Sequence, residues 1–413
     1  MKVLIAGAGI GGLALALTLE QNGVEFEIHE AAGEMRPLGV GINVLPHAVG
    51  ELESLGVLDA LDRVAVRTRN LRYMNRFGQE IVSQLRGLHA GHSLPQYSVH
   101  RGKLHGVLLA ALRERAGPEV VRVGHRCEGF VQDANGVTAS FRTLQGELVI
   151  ASGDALVGAD GIHSAVRAQL HPDDGGMQWN GIMMWRGTVE WPTFEGGDTM
   201  IVAGDMREKL LYYPIFPGSK PGTMLTNWVL SCQVSDGHTP PPRRENWSRP
   251  GRLEDVLAYV PKFRIPSLDL EAMFRQTPEF FEFPMCDREL LSSWGTARVT
   301  LLGDAAHPMY PVGSNGAAQA VIDGKRLGGY LAAHPVTEAL ALYESERVPV
   351  TSAIVRANRE GGPERVVDLV SERAPNGFDK LGDIVTREEL AAIAGSYATM
   401  AGFALNDPED GTR

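Results

Sequence analysis

Three glycines and one acid near the start of the chain have the types and the spacing that bind a dinucleotide. Gly7, Gly9 and Gly12 follow the pattern G-x-G-x-x-G, and Glu30 lies eighteen residues after Gly12. In such a motif the first glycine makes a tight turn, the second lets a pyrophosphate approach the backbone, and the third lets a helix pack closely on a strand. An acid at the end of the next strand accepts a hydrogen bond from a ribose hydroxyl. The spacing therefore predicts a strand, a helix and a second strand that bind a dinucleotide.

The same stretch has a second interpretation. Residues 3–17 carry no charged or polar side chain and follow Lys2, as in a secretory signal peptide. A signal peptide needs an uninterrupted apolar helix, and each glycine inside a helix costs about 1 kcal/mol relative to alanine. Residues 7–12 contain four glycines. The glycines therefore favour the strand–turn–helix, and with it dinucleotide binding, over export.

The composition of the 413 residues is that of a globular protein without a basic surface. Hydrophobic residues make up 44% of the chain, charged residues 22%, and the formal net charge is −11. Because nucleic acids and acidic membranes bind basic surfaces, we expect neither as a partner. No other stretch approaches the roughly 20 apolar residues of a membrane span. The three cysteines form no C-x-x-C pair, which favours a reducing, cytoplasmic location, and no metal-binding spacing is present, so no metal site is expected.

Changes in hydrophobic periodicity along the chain predict a mixed α/β protein, with a Rossmann-like nucleotide-binding domain interrupted by a β-rich domain. Substrate sites often lie where two such domains meet. The nucleotide domain is predicted over residues 1–70, 101–178 and 289–350, the substrate domain over 71–100 and 179–288, and a helical segment with a polar tail over 351–413.

Two further motifs accompany the glycine-rich turn. "LVGADGIHSAVR" (residues 156–167) and "RVTLLGDAAHPMYPVGSNGAAQAVIDG" (residues 298–324) each place an aspartate after a short apolar run typical of a buried strand. The three motifs, in this order, resemble those of the single-component FAD-dependent aromatic hydroxylases, the para-hydroxybenzoate hydroxylase group. The resemblance covers roughly residues 1–360. The segments "MMWRG" and "MYPVGSNG" are among those most similar to the branch that modifies phenazines in pyocyanin biosynthesis.

The resemblance implies two cofactors and a reaction. Members of this family bind FAD, are reduced by NAD(P)H, and use O2 to hydroxylate an aromatic ring through a flavin C4a-hydroperoxide. We therefore expect a small aromatic or heteroaromatic substrate such as a phenazine carboxylate, with or without loss of CO2 from the attacked carbon. No second G-x-G-x-x-G is present, so NAD(P)H is expected to bind without its own Rossmann domain. The alternative is a flavin oxidoreductase that inserts no oxygen.

The resemblance also assigns residues to the cofactor. Asp304 can accept hydrogen bonds from the ribityl hydroxyls, an arginine can neutralise the pyrophosphate, and the helix start after Pro311 can stabilise anionic reduced flavin. Asp160 has an alternative role as the cap of a helix that begins near Ile162. Residues 313–316 leave open which amide faces the flavin. The residues expected at the cofactor are Gly7, Gly9, Ile10, Gly11, Gly12, Glu30, Arg36, Gly41, Arg101, Cys127, Asp160, Asp304, Pro311, Gly313, Gly316 and Ala317.

Substrate recognition is expected from large side chains in the β-rich segment and the third motif, with core packing as the alternative for each. No side chain is assigned to catalysis, and His307 is expected to pack structurally rather than act as a base. Arg72 and Arg186 could pair with a substrate carboxylate, but nothing local distinguishes them from ordinary surface arginines. The expected pocket residues are Trp185, Trp228, Phe281, Phe283, Met309 and Tyr310.

Overall fold

Eleven α-helices and four β-sheets make up the described part of the protein, which comprises residues 1–36, 39–237 and 249–405 of this computed structural model. The helices are α1 (Ile10–Gln21), α2 (Pro46–Ser54), α3 (Leu58–Asp62), α4 (Arg101–Ala116), α5 (Ala165–Leu170), α6 (Leu253–Leu257), α7 (Leu270–Gln276), α8 (Gly316–Ala333), α9 (Val336–Arg359), α10 (Arg365–Arg373) and α11 (Arg387–Met400). No helix in these ranges has the length and apolar content of a membrane span.

A five-stranded parallel sheet carries the glycine-rich turn. Its strands are β1 (Lys2–Ala6), β2 (Glu25–Glu30), β8 (Val121–Val123), β12 (Ala155–Gly158) and β18 (Val299–Leu301), in the order β18-β12-β1-β2-β8. A parallel sheet that is covered by helices on both faces needs strands that are continuously apolar. Strands β1, β12 and β18 have largely apolar sequences and are buried along nearly their whole length. The predicted strand–helix–strand at the start of the sequence is confirmed.

Helices α1 and α8 cross at close range beside this sheet. A Cβ at Gly324 would lie 2.6 Å from the Leu15 backbone nitrogen, and one at Gly328 would lie 2.6 Å from the Thr18 side chain. Glycine on α8 therefore lets the two helices approach more closely than side chains permit. This crossing fixes the start of α8 relative to the start of α1.

A seven-stranded sheet forms the second large layer. Its strands are β5 (Asn70–Met74), β6 (Glu80–Leu85), β13 (Met177–Pro192), β14 (Thr199–Gly204), β15 (Glu208–Pro217), β16 (Thr223–Gln233) and β17 (Phe280–Arg288), in the order β17-β13-β16-β15-β14-β5-β6. Only the β14–β5 pair is parallel. Successive side chains point to opposite faces of a strand, so the sheet has an outer face packed on α6 and α7 and an inner face turned toward the parallel sheet.

Two small antiparallel sheets complete the described fold. They consist of β9 (His125–Gln132), β10 (Val137–Thr143) and β11 (Leu148–Gly153), and of β3 (Gly41–Val44), β4 (Ala65–Thr68) and β7 (Gln96–His100). Asp133 accepts hydrogen bonds from the amides of Asn135 and Gly136, so the predicted hairpin turn at these two residues is confirmed.

The mixed α/β class is confirmed, and the segment from residue 351 onward contains helices, as expected: the end of α9, then α10 and α11, the last of which ends at Met400. The polar tail, residues 406–413, lies outside the described residues. The helix predicted to begin near Ile162 begins instead at Ala165, because Ser164 caps it through its side chain. The proposed domain boundaries stay a prediction.

Candidate cofactor and substrate site

The three sequence motifs meet at one edge of the parallel sheet. Strands β1, β12 and β18 are neighbours and run in the same direction, so the turns that follow them lie side by side. A cavity extends from this edge to the inner face of the seven-stranded sheet. The predicted residues that line it are Gly9, Ile10, Gly11, Gly12, Arg101, Asp304, Met309, Pro311, Gly316 and Ala317.

The glycine-rich turn has the shape of a dinucleotide cradle. Gly7 adopts a φ of +107°, in the region that favours glycine. A Cβ at Gly12 would lie 2.2 Å from the carbonyl oxygen of Gly7, so only glycine lets α1 pack on the turn. A Cβ at Gly9 would meet nothing within 4 Å, because Gly9 faces the open cavity. The three glycines therefore make the turn, the close packing and the open approach that the motif requires.

Glu30 braces this turn from the end of β2. Its Oε2 accepts a hydrogen bond from the Ala8 amide at 2.8 Å, and its Oε1 accepts one from the Ala32 amide at 2.7 Å. Each carboxylate oxygen has a second lone pair that can still accept a ligand hydroxyl. The acid is thus fixed beside the first helix and keeps acceptor capacity.

Asp304 presents an unpartnered carboxylate to the cavity. Within the described ranges no residue donates a hydrogen bond to it, and desolvation by the surrounding cavity walls raises the pKa of Asp304. The Asp304 side chain is exposed to the open cavity, so its carboxylate oxygens can accept hydrogen bonds from the hydroxyls of a ligand. Asp304 therefore fits the predicted role of binding the hydroxyls of a ribityl group.

We expect Asp304→Ala to weaken FAD binding about ten- to a hundredfold, since a hydrogen bond to a charged group contributes about 1.5–3 kcal/mol. FAD titration of the apoprotein, followed by fluorescence quenching, measures the change. Asp304→Asn keeps an acceptor and should lose less affinity. Asp173→Ala removes an exposed carboxylate elsewhere and should lose none. Equal affinity of Asp304→Ala and the wild-type protein would place Asp304 away from the cofactor.

Asp160 caps a helix, as the alternative interpretation proposed. Its Oδ2 accepts hydrogen bonds from the amides of Ala165 at 2.8 Å and Val166 at 3.5 Å, and Ser164 Oγ accepts one from the Arg167 amide. Oδ1 of Asp160 is buried without a hydrogen bond to any described residue. The structure shows Asp160 hydrogen-bonded to the first amides of α5, and a cofactor role for Asp160 stays a prediction.

The buried guanidinium of Arg167 holds the loop that carries Asp304. Its Nη1 donates to the carbonyl oxygens of Ala305 at 3.2 Å and Ala306 at 2.9 Å, and its Nη2 donates to the carbonyl of Glu289 at 2.7 Å. Its Nε pairs with Asp174 at 2.6 Å. Arg167 is therefore a positioning residue that acts on the cavity through the loop.

The loop before α8 shows which residues face the cavity. Ser314, Asn315, Gly316 and Ala317 line it, whereas Gly313 turns away, and a Cβ there would lie 2.5 Å from the Tyr397 hydroxyl. Ser314 has a φ of +60°, a conformation rare outside glycine and often found at functional sites. The amides at the start of α8, not that of Gly313, can therefore face an anionic ligand.

His307 lies behind this loop in a buried polar network. Its Nε2 is 2.5 Å from Asp323 Oδ2, and Asp323 also accepts a hydrogen bond from Arg347 at 2.8 Å. The amide of Gly303 donates to the same aspartate at 3.1 Å. This arrangement agrees with a structural role for His307, because the ring is committed to Asp323 and does not line the cavity.

Arg186 places a guanidinium in the substrate part of the cavity. Its Nη2 donates to the carbonyl oxygen of Gly41 at 2.7 Å, and its Nε is buried without a hydrogen bond to any described residue. None of the described carboxylates pairs with it, and desolvation lowers the pKa of Arg186. The cavity also contains the cations Arg101 and Lys209, and its neutral lining on this side comprises Ile42, Asn43, Met184, Leu211, Tyr213, Val229, Ser231 and Met285.

The prediction that Trp185 and Trp228 line the substrate pocket is wrong. Trp185 and Trp228 lie on the outer face of the seven-stranded sheet, where Trp228 packs on Phe274 of α7 and donates to Thr277 Oγ1 at 2.9 Å. Neighbouring residues of a strand face opposite ways, so Trp185 cannot share the cavity with Arg186. Phe283 lies under the Arg186 guanidinium at 5.9 Å and clusters with Tyr310, while Phe281 is half-buried outside the cavity lining.

The predicted cofactor residues that lie outside the cavity lining are Gly7, Glu30, Arg36, Gly41, Cys127, Asp160 and Gly313. Arg36 is exposed and paired with Glu34, and Cys127 is in the hydrophobic core, where burial raises the pKa of its thiol to about 12. Gly41 contributes its carbonyl to Arg186 rather than facing the cavity. The assignment of these residues to the cofactor stays a prediction.

The sequence interpretation missed Asn43, Lys209, Tyr213 and Ser231, which lie on inner-facing strand positions. The alternation of side chains along each strand could have indicated these residues, in the same way that it places Met184 and Arg186 of "MMWRG" on one face. Within the described ranges no group of acids, histidines and cysteines could hold a metal ion.

Comparison with known proteins agrees with these features. A family model described as FAD binding domain matches residues 1–358. The protein is 45% identical over 404 residues to the phenazine 1,6-dicarboxylic acid hydroxylase PhzS of Lysobacter antibioticus, covering 96% of each sequence. It is 30% identical over 374 residues to a 3-hydroxybenzoate 6-hydroxylase of Klebsiella oxytoca, covering 88% of each. A Klebsiella pneumoniae HpxO variant complexed with FAD has a similar fold, with a TM-score of 0.76 at 24% identity over 98% of this protein and 99% of that one.

Proposed function

The chain belongs to the FAD binding domain family and is an FAD-dependent aromatic monooxygenase, and on that premise we propose that its substrate is a phenazine whose carboxylate binds Arg186. The observation that carries this proposal is the guanidinium of Arg186, buried in a largely apolar cavity without a carboxylate partner among the described residues. The relative from Lysobacter antibioticus is named as a hydroxylase of a phenazine dicarboxylic acid, which supports the same chemistry.

The cavity has the groups that FAD requires. Gly9 and the start of α1 would hold the pyrophosphate together with Arg101, Asp304 would hold the ribityl hydroxyls, and the start of α8 would face the anionic edge of the ring. When bound, FAD supplies the redox chemistry, accepting a hydride from NAD(P)H and activating O2 for insertion into the ring.

The residues of this protein orient the substrate and exclude water. Lys209 also lines the cavity, but it is ion-paired with Glu364, so its charge is already compensated. Arg186 can bind a carboxylate through charge-assisted hydrogen bonds, and its Nε is available for one of them. Met184, Met285 and Val229 then offer a dry apolar surface for a flat ring, which protects the reaction from solvent.

We expect Arg186→Met to raise the KM for phenazine-1-carboxylate about ten- to a hundredfold, the equivalent of one lost charge-assisted hydrogen bond. FAD content and thermal midpoint should be unchanged. Arg72→Met is the matched control, since Arg72 lies on the same sheet but is paired at the surface with Glu80 and Glu195. NAD(P)H oxidation and product mass are the measurements.

Two outcomes would overturn the proposal. One is an equal change of KM for phenazine-1-carboxylate in Arg186→Met and Arg72→Met. The other is an equal effect of Arg186→Met on phenazine-1-carboxylate and on unsubstituted phenazine. With ¹⁸O-labelled O2, one labelled oxygen in the product is expected, whereas label found only in H2O2 would indicate a reductase that inserts no oxygen.

A further inference from the structure

A second cavity of about 250 Å³ lies on the other side of the loop before α8. Its floor is the inner face of the seven-stranded sheet, with Leu71, Met200 and Val202, and its roof is α11 with the segment that follows it, including Phe403. Its size is close to the lower end of the range of small-molecule sites. Neither the substrate pocket predicted from the sequence nor the proposed FAD site occupies this second cavity.

One charged group of this cavity has no counterion. Arg86 donates from Nε to Gln96 Oε1 at 2.9 Å and from Nη1 to Gln84 Oε1 at 3.4 Å, and both acceptors are neutral. In the described ranges no carboxylate pairs with Arg86, and its Nη2 makes no hydrogen bond there. Desolvation lowers the pKa of Arg86, which shows that its positive charge is held at a cost.

The other titratable groups of the cavity do not neutralise Arg86. Glu364 is committed to Lys209 and to the amide of Gly313. The pKa of His92 is lowered by desolvation and by the Arg86 charge, so the imidazole is neutral at pH 7. An anion that enters this cavity would therefore meet a guanidinium that is hydrogen-bonded only to neutral amides, in a lining of apolar and polar side chains.

The two cavities share a thin partition. Ser314 lines both of them, and the ion pair between Lys209 and Glu364 joins the wall of the cofactor cavity to the wall of the second one. A molecule bound at Arg86 would thus lie one loop away from the residues that face the flavin ring. Both cavities combine a guanidinium that has no described acid partner, Arg186 in one and Arg86 in the other, with apolar side chains.

We propose that this second cavity binds a second molecule of a flat aromatic carboxylate, with the carboxylate on Arg86 and the ring against Leu71, Met200 and Phe403. The choice of ligand class rests on the proposed function, since Arg186 and Arg86 select the same combination of charge and apolar area. The site is distinct from the cofactor cavity because its lining residues come from β5, β6, β14 and α11.

Isothermal titration of the FAD-loaded enzyme with phenazine-1-carboxylate, without NAD(P)H, tests this site. Two molecules per FAD are expected, of which one changes the flavin absorbance. Gln84→Glu places a carboxylate beside Arg86 and should weaken the second site about tenfold or more, leaving the flavin-linked Kd within about twofold of the wild-type value. Arg86→Gln should do the same. Ser83→Glu adds the same charge on the neighbouring, exposed position of β6 and should leave both sites intact.

A stoichiometry of one in the wild-type enzyme, or of two with unchanged affinity in Gln84→Glu, would overturn the second site. Failure of the proposed function has a different signature. In that case phenazine-1-carboxylate leaves the flavin absorbance unchanged in the wild-type enzyme, while any binding that depends on Arg86 persists. Arg186→Met should remove only the binding that changes the flavin absorbance.

Discussion

Gly12→Val protein is expected to purify colourless, whereas the wild-type protein is yellow and holds one FAD without a covalent bond. Even the first atom of a side chain at Gly12 would lie 2.2 Å from the carbonyl oxygen of Gly7, and a branched side chain adds two more methyl groups. The carbonyl belongs to the turn and cannot rotate away as a flexible side chain would. The first helix must therefore separate from the turn, and its amides leave the position where they bind the pyrophosphate.

The absorbance ratio of protein to flavin, and FAD titration of the apoprotein, measure this loss. Gly106→Val is the matched control, because Gly106 is an exposed residue of α4 whose Cβ would meet nothing within 4 Å. It should bind FAD normally. Wild-type FAD affinity in folded Gly12→Val protein would show that the turn after β1 does not bind the pyrophosphate.

Arg167→Met should lower the free energy of unfolding by about 3 kcal/mol, the lower end of the range for removing one partner of a buried ion pair. The lower end applies because Arg288 still pairs with Asp174 at 2.8 Å after the substitution. The variant also leaves the carbonyls of Ala305 and Ala306 without their donor. We expect weaker FAD binding as well, since these carbonyls belong to the loop that presents Asp304.

Urea unfolding followed by tryptophan fluorescence measures the stability difference. Arg142→Met is the control, because Arg142 makes a two-pronged pair with Glu128 but at the surface, where solvent screens the charges and the pair stabilises the fold little. If the two variants lose the same stability, the buried hydrogen bonds of Arg167 do not hold the loop.

The glycine turn and the two acidic motifs could be predicted because each depends on neighbouring residues. A positive φ at Gly7, the close packing at Gly12 and the apolar run before Asp304 are local features, and the order of the strands then follows from parallel α/β topology. The loop before α8 was predicted as a ligand-binding helix start. Its contact with Tyr397 was not, since that residue lies 84 positions after Gly313 in the sequence.

The substrate pocket was harder to predict, because a strand pattern shows which side chains share a face but not what covers that face. Alternation alone separates Trp185 from Met184 and Arg186. Helices α6 and α7, which come from residues 253–276, cover the tryptophan side and leave the arginine side to the cofactor cavity. The sequence interpretation preferred aromatic residues and therefore selected the covered face.

The FAD-binding fold, its glycine turn and the family of the protein could all be inferred from the order of the amino acids. Which arginines are free to bind a ligand depends on how distant elements pack in three dimensions. Arg72 meets two acids at the surface, Arg167 meets three backbone carbonyls and an acid, and Arg186 and Arg86 meet no described acid. The guanidinium groups are chemically identical. Their desolvation and their counterions depend on which strands and loops the fold brings beside each guanidinium, even where the acid is as near in sequence as Asp174 is to Arg167, so local patterns do not predict them.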